Sequence, residues 1–74
     1  MNKWILFGLV KAIEDGSISL ETKAGTFKIN YIESLKQGLA TIQVGDKIGL
    51  RGKLEASRGI KLIADKIIGV KKGA

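Results

Sequence analysis

Hydrophobic and polar residues alternate along most of this chain, in five separate runs. Because every second side chain of a β-strand points to the same side, such alternation predicts strands that bury one face. The predicted strands cover residues 3–13, 17–22, 26–32, 47–55 and 60–70. Ile67 and Ile68 break the alternation of the last run, which predicts a bulge near Asp65 or burial on both faces.

Turn residues separate these runs. Asp15 and Gly16 lie between the first two, and this pair is a strong hairpin signal because both residue types tolerate a positive φ. Residues 23–25 separate the second strand from the third. Gly8 lies in the middle of the first run, where a glycine often marks a bulge or a sharp bend. The first strand is therefore expected to curl and to pair along two sheet edges.

The spacing of apolar residues changes between the third and fourth runs. Ser34 and Gln37 have the spacing of a capping box, and Gly38 is a natural helix stop. We predict a helix of about one or two turns here. The side chains expected to close one end of a barrel are Leu35, Leu39 and Ile42. Three strands, a short helix and two strands predict an all-β fold, a closed or nearly closed five-stranded barrel that leaves few sheet edges exposed.

The phase of each run predicts which side chains enter the core. Those expected to point inward include Ile18, Leu20, Phe27, Ile29, Tyr31, Ile48, Leu50, Gly52, Leu54, Ile60, Leu62 and Ala64. Phe7 lies in the apolar first run and is also assigned to the core. Ser17 and Gly49 are expected to point outward. Trp4 lies near the N-terminus, where a core position and an exposed position are both open to it.

The length and composition fit one small domain. The chain has 74 residues, 45% of them hydrophobic, and residues 1–74 are assigned to a single domain in which 71–74 fray. Zero Cys excludes disulfides and thiolate metal sites; since small secreted domains usually carry disulfides, we expect a cytoplasmic location. Residues 4–10 form an apolar run that is too short to span a bilayer and lacks a signal-peptide cleavage site.

The charge is uneven along the chain. The formal net charge is +6, from thirteen Lys and Arg against seven Asp and Glu. Residues 1–35 are balanced, whereas residues 36–74 hold nine cations against three carboxylates. This asymmetry predicts an anionic partner, nucleic acid first and a membrane surface second. Solubility alone is the alternative explanation, since small domains often carry a net charge of this size.

The residue types argue against an enzyme. The chain has no His, the commonest general acid–base group. Glu14 and Asp15 are adjacent carboxylates, but they lie on a predicted turn, where Asp is favoured for backbone reasons. The glycines do not precede a helix as they do in a phosphate-binding loop. We therefore expect no catalytic residue, no cofactor and no metal ion.

Three features of the sequence resemble the OB-fold, in particular its single-strand-binding and anticodon-binding type. They are the glycine-bearing segment FGLVKAIEDGSISLET, the short helical insert after the third strand, and the segment VGDKIGLRGKLEASRGIKLIADKI. The resemblance implies a Greek-key barrel that binds its ligand across strands two and three, framed by the one–two and four–five loops. By their positions, the resemblance assigns ligand contact on that surface to Lys28 and Asn30, and in the four–five loop to Arg58 and Lys61.

The predicted function is binding of single-stranded DNA or RNA, mainly electrostatic and with little sequence specificity. Lys47, Arg51 and Lys53 alternate on one strand face, where successive outward positions are about 6.6–6.8 Å apart, a spacing suited to successive phosphates. The candidate binding residues are Lys28, Asn30, Lys47, Arg51, Lys53, Arg58, Lys61 and, if exposed, Trp4. An ordinary solvated strand face is the alternative for the cations.

A protein-interaction module without nucleic-acid binding is the alternative function. The last strand carries apolar residues suited to a homodimer or a protein partner: Ile63, Ile67, Ile68 and Val70. Membrane binding is not expected, because no basic amphipathic helix is apparent.

Overall fold

A computed structural model of the chain describes residues 3–73. Its strands are β1 (Lys3–Glu14), β2 (Ser17–Thr22), β3 (Gly25–Tyr31), β4 (Lys47–Glu55) and β5 (Lys61–Lys71). They form one closed sheet in the order β1-β2-β3-β5-β4, with β4 pairing again with β1. Only the β3–β5 pair is parallel among the strand pairs of residues 3–73. The mostly β, five-stranded closed sheet expected from the alternation is therefore confirmed.

β1 closes the sheet because it pairs with two strands, as predicted. Residues 3–9 pair with β4, and residues 9–14 pair with β2. The bulge lies between Val10 and Ala12 rather than at Gly8. Gly8 instead allows β2 to come close, since a methyl group at Gly8 would lie 2.5 Å from the carbonyl oxygen of Glu21. The backbone of Val10 exchanges hydrogen bonds with that of Gly45 and Asp46, at 2.9 and 2.8 Å.

The turn between β1 and β2 is held by a tyrosine from β3. Gly16 has a φ of 87°, which only a glycine adopts readily. The hydroxyl of Tyr31 accepts the N–H of Gly16 at 3.1 Å and donates to the carbonyl of Glu14 at 3.2 Å. The Asp15-Gly16 pair thus makes the hairpin that the sequence predicts, and tertiary contacts fix it.

The helical segment closes part of the core but does not start or stop as predicted. A 3₁₀ turn covers Glu33–Leu35 and a short helix, α1, covers Lys36–Leu39; neither has a side-chain cap. Ser34 lies inside the 3₁₀ turn, so the capping box does not form. Gly38 lies within α1, where a methyl group would come 2.9 Å from Cδ1 of Ile67. Close packing on β5, not helix termination, therefore explains this glycine.

The core contains the side chains that the strand phases predict. Its buried apolar members are Val10, Ile18, Leu20, Ile29, Leu39, Ile42, Ile48, Leu50 and Ala64, and Trp4, Leu6, Phe27, Tyr31, Leu35, Leu62 and Ile67 pack against them. Leu35, Leu39 and Ile42 pack against the strands as expected. The breaks in β5 are bulges, because Asp65 and Ile68 have no partner in the register with β4.

Two residues that were assigned to the core lie outside it. Phe7 is 64% exposed and Ile60 is 76% exposed, instead of entering the core. Ile60 precedes β5 and belongs to the hairpin loop. Ser17 has the predicted outward phase, in register with Glu14 and Asn30, but it is buried, and its hydroxyl donates to the Glu14 carboxylate at 3.2 Å. Gly49 points outward as predicted, in register with Phe7, but it is buried because the ring of Phe7 covers it.

The C-terminal residues are bound to the loop before β4 rather than frayed as expected. Lys71 is the last residue of β5, and Lys72 donates its ammonium to the Asp46 carboxylate at 2.6 Å and to the carbonyl of Thr41 at 2.6 Å. Gly73 and Gln43 donate backbone N–H groups to the same carboxylate. We call Asp46, Lys72 and Gly73 the C-terminal clasp. Ala74 lies outside the described residues.

The clasp strongly favours the ionised form of Asp46. The Lys72 ammonium, followed by the N–H groups of Gly73 and Gln43, lowers the pKa of the Asp46 carboxyl to about 2. Asp46 is almost fully buried, yet its oxygens are satisfied by these donors. Within residues 3–73, helices of a length and hydropathy that would cross a membrane are absent.

Candidate nucleic-acid interface

Three adjacent strands carry most of the cations on one outer surface. Side chains of directly paired residues in antiparallel strands point to the same side of the sheet. The register therefore aligns the outward residues of β1, β4 and β5 in rows: Lys3–Lys53–Ile63, Ile5–Arg51–Lys66, Phe7–Gly49–Gly69, Leu9–Lys47–Lys71 and, between β4 and β5 alone, Glu55–Lys61. We call this surface the β1–β4–β5 face.

The β1–β4–β5 face is strongly basic. It carries seven exposed cations: Lys3, Lys47, Arg51, Lys53, Lys61, Lys66 and Lys71. Its carboxylates are Glu55 and the bulged Asp65, which leaves a net charge of +5. Three rows place two cations directly opposite each other, as in Lys47 and Lys71. Such like-charge pairs destabilise a sheet, and the repulsion is reduced by salt ions or by a bound group of opposite charge.

The opposite outer surface, which the OB resemblance favours, is close to neutral. We call it the β2–β3 face; its polar outward side chains are the bulged Lys11, Glu14, Ser19, Glu21, Thr26, Lys28 and Asn30. Two carboxylates and two lysines give this face a net charge of zero. The ammonium of Lys28 lies 3.9 Å from the carboxylate of Glu14. The two faces therefore differ by about five charges.

Most cations of the β1–β4–β5 face have no carboxylate within ion-pair distance. The exception is Arg51, whose Nε lies 3.4 Å from Oδ1 of Asp65. The other ion pairs among residues 3–73 join Lys28 to Glu14, Lys36 to Asp15 and Lys72 to Asp46. Lys47, Lys53, Lys66 and Lys71 are thus available to phosphates without breaking an ion pair within the described residues.

The structure brings together half of the residues that the sequence proposes for binding. Lys47, Arg51, Lys53 and Lys61 share the β1–β4–β5 face. Lys28 and Asn30 lie apart from them, on the β2–β3 face.

Arg58 and Trp4 have different environments. Arg58 is exposed in the β4–β5 hairpin loop, beside Gly59 with a φ of 93°. Trp4 is half-buried against the core, and its indole N–H donates to the carbonyl of Lys53 at 2.8 Å. Trp4 therefore takes the core position, because its ring lies over Gly52, where a methyl group would come 2.6 Å from Cζ2.

Sequence reasoning missed four residues of this surface: Lys3, Lys66, Lys71 and Phe7. The bulge at Asp65 shifts the alternation of β5, so that Lys66 joins Lys61 on the outside, and the bulge at Ile68 restores the original phase, which Lys71 follows. The sequence showed that the alternation breaks in the last strand, but it did not show that the break consists of two bulges. The outward position of Phe7 could not be read from the alternation, because both phases of β1 around it are apolar.

The adjacent carboxylates of the β1–β2 turn have partners of their own. Glu14 accepts the Ser17 hydroxyl, and Asp15 lies 3.4 Å from the ammonium of Lys36. Hydrogen bonding to Asp15 raises the pKa of Lys36 above its usual value. In the described part of the chain, Asp and Glu residues do not gather in groups of three that could hold a metal ion.

Comparison with known proteins adds no relative to this picture. No protein-family model matches the chain, and neither a curated protein nor a solved structure is significantly similar to it. A functional proposal therefore depends on the fold and on the charge of its surfaces.

Proposed function

We propose that the closed sheet is an OB-type Greek-key barrel that binds single-stranded nucleic acid through the β1–β4–β5 face. The observation that carries the proposal is the net charge of +5 on this face against a net charge of zero on the β2–β3 face. The strand order and the short helix between β3 and β4 support the barrel type, which is a five-stranded Greek key. Binding by phosphate contacts, with little preference for sequence, follows from the residue types.

The proposed binding surface differs from the one that the OB resemblance implies. A ligand on the β2–β3 face would meet Glu14 and Glu21, whose charges repel phosphates. A ligand on the β1–β4–β5 face meets cations in three rows of β4, at Lys47, Arg51 and Lys53, with about 13 Å between the first two and about 6.6–6.8 Å between the last two. The proposal therefore keeps the fold type and moves the site to the other side of the barrel.

Single strands suit this surface better than a duplex. The α-helix of the described residues has four residues, far too few to enter a major groove as a recognition helix. A basic sheet surface can follow the backbone of a flexible strand. The role proposed is binding rather than catalysis, consistent with a sequence without His or Cys.

A fluorescence-anisotropy titration tests the proposal. The probes are labelled oligothymidylate and oligouridylate of about 20 nucleotides, and the salt concentration is varied from about 50 to 200 mM. We expect binding that weakens with salt, with a slope of about −0.7 in log K against log salt for each phosphate contacted. The two probes separate DNA from RNA as the preferred strand. No binding to either probe at the lowest salt would refute the proposal.

Two matched double variants locate the site. Lys53→Gln with Lys66→Gln removes two charges from the β1–β4–β5 face, and Lys11→Gln with Lys28→Gln removes two charges elsewhere. We expect the first variant to lose affinity and to flatten the salt slope by about 1.4, and the second to change little. The reverse result would return the site to the β2–β3 face.

A protein-interaction module is the second candidate, favoured by exposed apolar residues. Ile5, Phe7, Ile68 and Val70 are between 38% and 64% exposed. Sedimentation of the protein alone separates the candidates. A stable oligomer that ignores both oligonucleotides supports this second function; a monomer that binds them in a salt-sensitive way supports the first.

A further inference from the structure

An exposed aromatic ring lies at the centre of the basic face. Phe7 lies against Gly49, where a methyl group would come 2.5 Å from Cε1 and 2.7 Å from Cδ1 of the ring. The side chain of Ile68 also lies beside Gly49, because its Cγ1 would be 3.0 Å from a methyl group on Gly49. Phe7 is nevertheless 64% exposed, so the ring rests on the sheet and leaves much of its surface open to solvent.

An open slot continues from this ring across the sheet. Gly69 pairs with Gly49, and a methyl group on Gly69 would meet no atom within 4 Å. The depression around Phe7, Gly49 and Gly69 has a volume of about 760 Å³, and its charged lining residues are Lys23, Lys47 and Lys71 together with one carboxylate, Glu21. The glycine pair therefore leaves room beside the ring for a flat group.

Cations lie on both sides of this slot along the strands. Lys47 and Lys71 precede and follow the glycine pair by two residues, and Arg51 and Lys66 form the row on the other side. At about 3.3 Å per residue, the two pairs of cations are about 13 Å apart. That distance is sufficient for a nucleotide with a phosphate on either side of its base.

We propose that Phe7 is a stacking platform for a base of the bound single strand, with the slot over Gly49 and Gly69 receiving the base and the flanking cations receiving its phosphates. This inference rests on the proposed function and specifies how the strand is held. Stacking on an aromatic ring is tolerant of sequence, because every base has a π-face. The platform therefore adds affinity without adding base preference.

A nucleic-acid strand fits this surface better than a second copy of the chain. A symmetric dimer through the β1–β4–β5 face would place a net charge of +5 against the same charge on its partner. Like charges facing each other oppose association, whereas the phosphates of a strand complement them. The apolar ring and the cations are thus best used together by an anionic ligand that carries flat bases.

The test compares a normal oligothymidylate with an abasic strand of equal length, which has the phosphates but no bases. At fixed salt, we expect the native protein to bind the normal strand about 5- to 150-fold more tightly for one stacked base. Phe7→Ala is expected to abolish this difference and to leave the salt slope unchanged; Phe7→Trp is expected to keep it. Val44→Ala is the control, because Val44 is equally exposed, at 63%, and does not line the slot. A second variant, Gly69→Leu, fills the slot and is expected to weaken binding of the normal strand alone.

The outcomes separate this inference from the proposed function. Equal binding of both strands by the native protein, unchanged by Phe7→Ala, overturns the platform and leaves phosphate binding standing. Binding of neither strand overturns both. If Phe7→Ala instead turns a dimer into a monomer in sedimentation and leaves strand binding unchanged, Phe7 is a contact between copies and the platform is wrong. Circular dichroism of each variant shows that it is folded, which is expected because Phe7 and Gly69 lie outside the core.

Discussion

At the scale of single residues, several glycines of this chain are required for space rather than for flexibility. A methyl group at Gly52 would clash with the carbonyl oxygen of Ile63 on the neighbouring strand, and it would also crowd the ring of Trp4. Gly69 on β5 faces open space and has no positive φ. The same residue type therefore has opposite consequences on two paired strands.

These surroundings predict opposite effects of two Gly→Ala changes. Gly52→Ala is expected to lower the free energy of unfolding by about 1–3 kcal/mol or more, because backbone atoms have to move. Gly69→Ala is expected to leave it unchanged or to raise it by about 0.4–1 kcal/mol, since it restricts the unfolded chain. Urea unfolding followed by circular dichroism measures both. A loss of stability in Gly69→Ala equal to that in Gly52→Ala would contradict this account of the packing.

The C-terminal clasp is the other feature that individual residues decide. The pKa of Asp46 is about 2 in the folded protein and 3.8 in a free side chain, so ionisation of Asp46 stabilises the fold above about pH 4. That contribution is lost as the pH falls from about 4 to about 2, because the folded protein then has to take up a proton that the unfolded chain already holds.

Asp46→Asn tests this pH dependence. We expect the variant to be less stable than the native protein at neutral pH, and the difference between the two to shrink as the pH falls from about 4 to about 2. Urea unfolding of both proteins at a series of pH values measures that difference. The other carboxylates titrate in both proteins, so their contribution cancels in the difference. A difference that stays constant across this range would show that the Asp46 charge does not stabilise the fold.

At the scale of secondary-structure elements, α1 depends on its contacts with the sheet. A helix of four residues is not stable alone, and this one has no side-chain cap. Its Leu39 is 5% exposed and packs in the core, and the carbonyl of Leu39 accepts the N–H of Ile42 at 3.1 Å. Burial of Leu39, not helix propensity, therefore fixes the segment between β3 and β4.

Leu39→Ala is expected to lower the free energy of unfolding by about 2–5 kcal/mol, because it leaves a cavity at one end of the core. Gln37→Ala on the same helix is the control and is expected to stay within about 0.5 kcal/mol, since Gln37 is exposed. Chemical unfolding of the two variants side by side makes the comparison. Similar losses in both would mean that helix propensity matters here after all.

At the scale of the whole molecule, the arrangement of charge opposes stability on the proposed binding face. Lys47 and Lys71 are directly opposite each other, whereas Lys61 is opposite Glu55. A sheet selected for stability alone would have opposite charges in each row. The concentration of like charges on one face is therefore a reason to favour a binding function over mere solubility.

Two charge reversals test this trade-off. Lys71→Glu replaces a repulsive pair with an attractive one and is expected to raise the free energy of unfolding by about 0.2–1 kcal/mol at low salt while weakening oligonucleotide binding. Lys61→Glu changes the net charge equally but creates repulsion with Glu55, so it is expected to lower stability. Thermal unfolding and anisotropy on the same samples give both quantities. Equal stability changes in the two variants would show that cross-strand charge does not act here.

The alternation of side chains and the turn residues determined the strands by themselves. β4 covers the predicted residues 47–55, and the other strands begin and end within one residue of prediction. Asp15-Gly16, the bulge at Asp65 and the inward phase of Ile18, Ile29 and Leu50 were also readable. These features are local, because the period of the backbone and the conformations open to glycine do not depend on the rest of the chain.

Only the tertiary structure decided where the cations and Phe7 lie. In residues 4–10 both phases are apolar, so periodicity did not assign Phe7 to the outside; the pairing of β1 with β4 did. Lys3, Lys66 and Lys71 joined the basic face because registers between distant strands, including two bulges, aligned them. The alternation along a strand indicates on which side of the sheet a charged residue lies. Its neighbours across the sheet depend on the register between strands, which only the folded structure sets.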